Sequence, residues 1–549
     1  MRIEDTLVLL RHARVRVSRR DLLRLAALGG ALAAGGVGEL VGGAPARAAT
    51  SKRGGVWRMA IYGNPTAYPI TVPGKLVDLL VNKTMYSTLV KYELRNGHIQ
   101  VVPELAESWT ANAGLTEYTF KLRRGAKWHD GRPVTADDVK FTIDAQLNPK
   151  VNAGFAGVVS AISQATVVDP GTIRFTMKYP YASLPVMLGY NIAIVPKHLL
   201  EGQDLNQPVQ FIQHPVGSGP FKFKGFVQDS HFEVEANKDY YGGTPMLDGI
   251  VFKVITDGNA RLAQIRAGEI DFTIIDPPQV AAVQGAPNLT VRRAPQVNYY
   301  FFAVNHDQPK LADVRVRQAL SYAIDRQAIV ANILKGDARP ATGPINPLLG
   351  DFYNSTVESY PYDLGKAQGL LAEAGWKKGQ DGVLINGKGE KFTLLFNGPK
   401  GYPVMEQVIA YAQHQYQRLG IAVTLDIVDW PVHLDKYQKR QYDLLMEWWI
   451  TPPDPDLYDH YYSGSPSNWW SYKNPAVDKL LVAARSESDV KKRIALVREL
   501  QAMLAKDVPV IYLYYPQELQ ALNKRTQGLP TMGYRDALTW MTGVWVDRS

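Results

Sequence analysis

Apolar residues follow two periods along this chain, and the places where one period gives way to the other set out an alternation of strands and helices. Tyr118, Phe120 and Leu122 alternate with polar neighbours, as do Ile173, Phe175 and Met177, so each run predicts one face of a half-buried strand. Between them Thr135 and Asp138 make a capping box. Val139, Ile143 and Leu147 then recur at four-residue spacing until Pro149, which predicts a helix. Upstream, 56–61 reads as a strand and 76–86 as a helix. Downstream, Val316, Leu320, Ala323, Ile324 and Gln327 mark a helix running through Asp325-Arg326. A long helix over 404–419 ends at Gly420, the residue favoured just past a helix C-terminus, and Ile421, Val423, Leu425 and Ile427 alternate directly after it. Asn474-Pro475 supplies a cap and first turn, Ile494, Val497, Leu500 and Leu504 mark the last long helix, and 508–515 reads as a buried strand. The mixed pattern has no internal repeat, so it predicts an α/β protein and disfavours an adhesion module.

Composition narrows the class. The chain has 549 residues, 46% of them apolar and 21% charged, enough for two to four domains at roughly 100–200 residues each. It contains no cysteine, which excludes disulfides, thiolate metal sites, a cysteine nucleophile and lipid attachment through an N-terminal cysteine. The net charge is +9, but the first 49 residues hold eight Arg against four acidic groups, leaving only +5 for the rest. No basic block beyond Lys491-Lys492-Arg493 follows, so nucleic acid is not an expected partner. Within those 49 residues, Ser18-Arg19-Arg20-Asp21-Leu22-Leu23 precedes a Gly/Ala/Leu-rich stretch and then Ala46-Arg47-Ala48, the layout of a cleavable export signal. The stretch is diluted by glycines and Glu39, too weak to span a membrane, and the Arg pair resembles a twin-arginine signal with Leu22 where that motif prefers Phe. Beyond Thr50 no apolar run reaches spanning length, so a soluble, unlipidated protein of the periplasm is expected.

Several segments stand in an order that carries a resemblance. They are Pro103-Glu104-Leu105-Ala106-Glu107-Ser108-Trp109, Tyr118 to Arg123, Trp128-His129-Asp130-Gly131-Arg132-Pro133-Val134-Thr135-Ala136-Asp137-Asp138-Val139, Val216-Gly217-Ser218-Gly219-Pro220-Phe221, Val314 to Leu320, Ala323-Ile324-Asp325-Arg326, Leu419-Gly420-Ile421 and Asp454-Pro455-Asp456. Together they resemble family 5 of the ABC-importer solute-binding proteins, which includes oligopeptide-, dipeptide- and nickel-binding members. The resemblance implies a two-lobed α/β periplasmic binding protein, a Venus flytrap, with a hinge crossed twice. It sets a signal peptide at 1–49, lobe I at 50–300 with an additional subdomain at about 93–195, lobe II at 301–509, and a return to lobe I over 510–549. It implies a hinge near 299–305 and 508–515, a solute in the cleft, a membrane permease as partner and a monomeric receptor.

The residues themselves offer no convincing catalytic centre. His129-Asp130 has no second ligand at metal spacing and reads as a polar turn, Asp325-Arg326 reads as a helix-face pair, and Gly217-Ser218-Gly219 lacks the spacing of a hydrolase elbow, its glycines permitting a turn. No phosphate loop or H-E-x-x-H is present, so neither a cofactor nor a resident metal is expected. A secreted hydrolase acting on a similar small molecule is the rival reading.

The candidate ligand segment is 442–462, which gathers Glu447, Trp448, Trp449, Thr451, Asp454 and four tyrosines; Trp430 joins it as a further ring. Two adjacent Trp on a strand must point to opposite faces, so one faces a cleft while its neighbour faces the core. Peptide-binding members of the family carry an Asp before the D-P-D element that pairs with the peptide's ammonium; here Thr451 or Pro452 takes that place. The resemblance therefore implies that a peptide's free amine matters little unless Glu447 or Asp454 takes over the role. It also implies that Trp449 contributes more affinity than Thr451. A peptide, an opine, a sugar derivative and a metal chelate all remain open as solutes.

Overall fold

The computed structural model describes residues 54–71, 76–449, 453–533 and 537–547, so the export segment expected over 1–49 lies outside them. Among the described residues no helix is long and apolar enough to cross a membrane.

Two sheets share one strand. Val510–Asn523 runs for 14 residues through the middle of the molecule. Its first part, through Tyr514, pairs with Tyr299–Val304, and the next residues, to Pro516, pair with Ala338–Pro340. From Gln517 onward the same strand pairs with Leu289–Pro295 and Phe272–Ile274. One sheet continues outward through Val56–Ile61, Gly249–Val254, His231–Ala236 and Phe221–Val227. The other continues through Leu444–Trp449, Thr393–Pro399 and Ala422–Val428. The pairing thus passes from one sheet to the other at 296–298 and again at Pro516-Gln517. Residues 510–516 pair within the second sheet.

Local chemistry explains the elements. Thr393–Pro399 and Ala422–Val428 lie parallel, which requires a crossover, and the helix Pro403–Arg418 supplies it. Val408, Ile409, Ala412 and Tyr416 on that helix bury against Leu394 and Phe396 of the sheet, and Gly420 ends the unit at a φ of 86°. Tyr299, Phe301 and Ala303 point into one core while Phe302 and Val304 point into another, so the second sheet is covered on both faces. A separate antiparallel sheet of Ala106–Ala111, Glu117–Leu122, Thr172–Met177 and Ile162–Asp169 has its own core, which includes Phe120, Ile173, Phe175, Val139 and Ile143. The helix beside it, Ala136–Leu147, carries the capping box read from Thr135 and Asp138.

Two local readings need correction. The glycines of 217–219 are required by close approach and not by a turn conformation: a Cβ on Gly217 would lie 1.9 Å from the Met85 carbonyl oxygen. His129 braces that approach, its Nδ1 accepting from the Gly217 N–H and its Nε2–H donating to the Gly219 carbonyl, both at 3.1 Å. Asp325-Arg326 is not a helix-face pair either. The helix Val314–Tyr322 stops short, and Asp325 caps a new one by accepting from the Ala328 N–H. The Arg326 guanidinium turns inward and donates to the carbonyls of Ser321, Tyr360 and Tyr512.

Candidate functional site

A cavity of about 410 Å³ lies where the two sheets meet. The first lobe contributes Tyr62, Arg261 and Asp276, the second Tyr300, Tyr402 and Tyr514, and the crossing segments Gln296, Gln517 and Glu518. That volume falls within the range of single small-ligand sites, roughly 300–1,000 Å³. Arg261 steadies itself by donating to the carbonyls of Ile255 and Thr256 at 3.0 and 2.8 Å. The cavity therefore presents Arg261 and Asp276 from one lobe, a wall of rings with Asp337 from the other, and Glu518 from the crossing.

A slip in register makes the wall. Where Tyr299–Val304 pairs with the long strand, Tyr300 lies opposite Tyr514 but Phe301 lies opposite Tyr512, so Leu513 is an inserted residue. The bulge turns Tyr514 onto the same face as Ile511 and Leu513, away from Tyr512 and Tyr515. Tyr514 then stacks on Tyr300 with centroids 4.6 Å apart and planes at 16°. Behind Tyr300 stands Trp448 at 5.9 Å, which touches Trp430 at 5.1 Å and Tyr402 at 5.6 Å. Five rings form one continuous surface. Burial raises the Tyr300 phenol well above its ordinary range, with the neighbouring acidic groups of Glu447, Tyr402 and Asp276 adding to it. Tyr300 thus remains a neutral donor.

The neighbouring ring points elsewhere. In the ladder Trp448 faces Tyr300 and Trp449 faces Tyr299, so the pair divides between the two cores. Trp449 packs on His460 at 4.1 Å and Trp469 at 5.7 Å, and its indole N–H is buried without an acceptor among the described residues.

Neither candidate carboxylate of this segment lines the cavity. Glu447 is buried, accepting from the Trp448 N–H at 2.9 Å and facing His433 Nε2 at 3.3 Å. His433 in turn donates from Nδ1 to Asn397 Oδ1 at 2.6 Å. Burial pushes the Glu447 carboxyl above its usual range, while the His433 hydrogen bond pulls it back. Asp454 is also buried, held by Arg493 at 2.8 Å and by the Ser183 hydroxyl at 2.8 Å. Thr451 lies outside the described residues. Of the six residues singled out from sequence, then, Trp430 and Trp448 stand behind the cavity wall and Trp449, Glu447 and Asp454 lie outside its lining.

Sequence reasoning missed the lining tyrosines. Tyr402 had a signal, since Gly401-Tyr402-Pro403 joins the carboxyl end of a strand to the start of a helix, where α/β folds commonly bind ligands. Tyr300 and Tyr514 had none beyond lying near the crossings. Among the described residues no group of three or more His, Asp or Glu is placed to hold a metal ion.

The chain resembles known proteins over most of its length. The family model for bacterial extracellular solute-binding proteins, family 5, matches residues 100–471. The oligopeptide-binding protein AppA of Bacillus subtilis is 30% identical over 494 residues, covering 88% of this chain and 90% of that protein. Its structure in complex with a nonapeptide superposes with a TM-score of 0.77 over 91% of this chain and 100% of that one. NikZ from Campylobacter jejuni, in complex with Ni(L-His), is 26% identical with a TM-score of 0.77, covering 89% of this chain and 99% of its own. AgaA from A. tumefaciens R10, in complex with agropinic acid, is 26% identical with a TM-score of 0.74 over 90% of this chain and 99% of its own. With two lobes joined through a shared strand and a cavity between them, this chain belongs to family 5 of the bacterial extracellular solute-binding proteins.

Proposed function

We propose that the protein is the extracytoplasmic receptor of an ABC importer, capturing a short peptide or a solute of similar size between its lobes and delivering it to a membrane permease. The observation that carries this reading is the 410 Å³ cavity, whose walls come from both lobes and both crossings. A ligand touching both walls favours the closed arrangement by its differential contacts. The lobes on this reading are 54–295 with 517–547, and 299–516, the first of them including the small sheet within about 93–195. Relatives with a nonapeptide, a nickel–histidine complex and agropinic acid share this fold, so the ligand class rests on the cavity itself. Its volume suits a short solute, and Arg261 with Asp276 offers opposite charges to a zwitterion.

The expected result is that solute co-purifying with the protein is released chemically unchanged on denaturation, as mass spectrometry would read. Adding it back should reduce the radius of gyration in solution scattering. A processed product in place of intact solute would favour a hydrolase, and no compaction at saturation would remove the receptor reading.

Export through the twin-arginine route follows from Arg19-Arg20 ahead of a weakly apolar stretch. Arg19→Lys with Arg20→Lys should leave precursor in the cytoplasm. Normal appearance of mature protein outside it, detected by fractionation, would refute this.

A further inference from the structure

Far along the chain from the cavity lining, a second set of groups bridges the lobes. The turn before the helix Leu184–Asn191 belongs to the first lobe and holds Tyr179, Tyr181, Ala182 and Ser183. It meets two ion pairs of the second lobe, Asp454 with Arg493 and Asp456 with Arg485, each at 2.8 Å. Ser183 is fully buried; its hydroxyl donates to Asp454 Oδ1 at 2.8 Å and accepts from Arg493 Nη2 at 2.9 Å. The Ala182 N–H donates to the Arg485 carbonyl at 2.9 Å. The Arg485 guanidinium lies 5.2 Å from the Tyr181 ring centroid and 5.9 Å from that of Tyr179, besides 3.9 Å from Tyr458 of its own lobe.

The division of these contacts between lobes decides what the site does. Both ion pairs lie wholly within the second lobe, so they persist when the lobes part. What separation breaks is the pair of Ser183 hydrogen bonds, the Ala182 hydrogen bond and the ring contacts. The side chains are nearly dry, with Asp454 3% and Arg493 10% exposed. A buried ion pair gains most when a further group satisfies it, and the Ser183 hydroxyl serves both partners at once. None of these residues lines the cavity.

We propose that the turn 179–183 and the two Asp–Arg pairs form a closure clasp, a preformed charged socket and its plug, which sets the closed population whatever ligand the cleft holds. This inference rests on the two-lobed receptor reading and assigns its D-P-D element to closure. Because the clasp needs no ligand, it predicts that the ligand-free protein already samples the closed form.

The chain has no cysteine, so nitroxide labels at Lys224→Cys and Lys439→Cys, one on each lobe, report the interlobe distance cleanly. Ligand-free protein should show a compact population beside the open one. Ser183→Ala should lower the closed-to-open ratio about tenfold, the worth of hydrogen bonds to charged groups. Tyr179→Ala, at a partly exposed position, should lower it about two- to threefold. Thermal unfolding of both variants guards against a general loss of structure, and the Tyr179 variant stands in if the Ser183 variant does not fold. A wild-type distribution with no compact species, or one unchanged in folded variants, would overturn the clasp. Failure of the receptor reading shows separately, as wild-type protein that does not compact with a mixture of di- and tripeptides.

Discussion

Acidification from pH 6.5 to pH 4 should cost this protein several kcal/mol of stability, with unfolding taking up close to three protons. Three histidines carry the effect. Burial lowers His129, His306 and His460 from 6.5 to about 4 each. His129 is fixed between two glycine backbones, His306 donates from Nε2 to the Pro509 carbonyl at 3.1 Å, and His460 lies under the Trp449 ring. Between pH 6.5 and 4 the unfolded chain binds these protons and the native chain does not, so stability falls as pH falls. A shift of that size is worth at most about 3 kcal/mol per histidine, since each pKa unit is about 1.4 kcal/mol. Glu447 and Asp456 act in the opposite direction. Burial raises both carboxyls, so their contribution is present at acid pH and lost as pH rises from the ordinary carboxylate range through their raised values. They therefore offset part of the histidine effect. Urea unfolding at pH 7, 6, 5 and 4.5 measures the slope. A flat profile from 6.5 to 5 would refute the assignment, and His306→Gln should remove about one proton from it.

The adjacent tryptophans should separate stability from binding. Trp449→Ala is expected to destabilise the fold by about 3 kcal/mol, because the half-buried ring packs against Tyr437, His460 and Trp469. Trp449→Phe should recover most of that loss, since it keeps a ring and removes an N–H left buried without an acceptor. Trp448→Ala should act mainly on binding. It takes out the ring that braces Tyr300 and Tyr402 from behind, and loosening that wall should cost about 1.4 kcal/mol of binding, or some tenfold in affinity. Denaturant curves and calorimetry with the co-purifying solute read the two effects separately. Equal losses of affinity in the folded variants would place both rings against the ligand.

Much of the fold is legible because it is written locally. The capping box at Thr135, the parallel crossover ended by Gly420 and the alternations at 118–122 and 173–177 each need only neighbouring residues. The site is different. Simple alternation would assign Tyr514 to the face of Tyr512, and only the inserted Leu513 brings it beside Tyr300. Asp454 carries the same chemistry as a ligand contact or as half of an ion pair, and Arg493 and Ser183 decide between them from distant positions. The long strand also hides its second half, since the run read from sequence stops at 515, before Pro516, and the strand continues only by pairing with 289–295.

That strand also constrains the order of assembly. Val510–Asn523 lies between Tyr299–Val304 on one side and Phe272–Ile274 on the other, in the middle of the continuous ladder. It is made after every other strand of both large sheets. Emerging chains generally fold domain by domain from the N-terminus, but here each lobe lacks a central strand until synthesis is almost complete. Its pairings with Phe272–Ile274 and Leu289–Pro295 are also the most distant in sequence of all the strand pairings among the described residues, which slows folding. Both lobes therefore reach their final form together, at the end of translation, and a chain that stops at 509 leaves two sheets open at the seam.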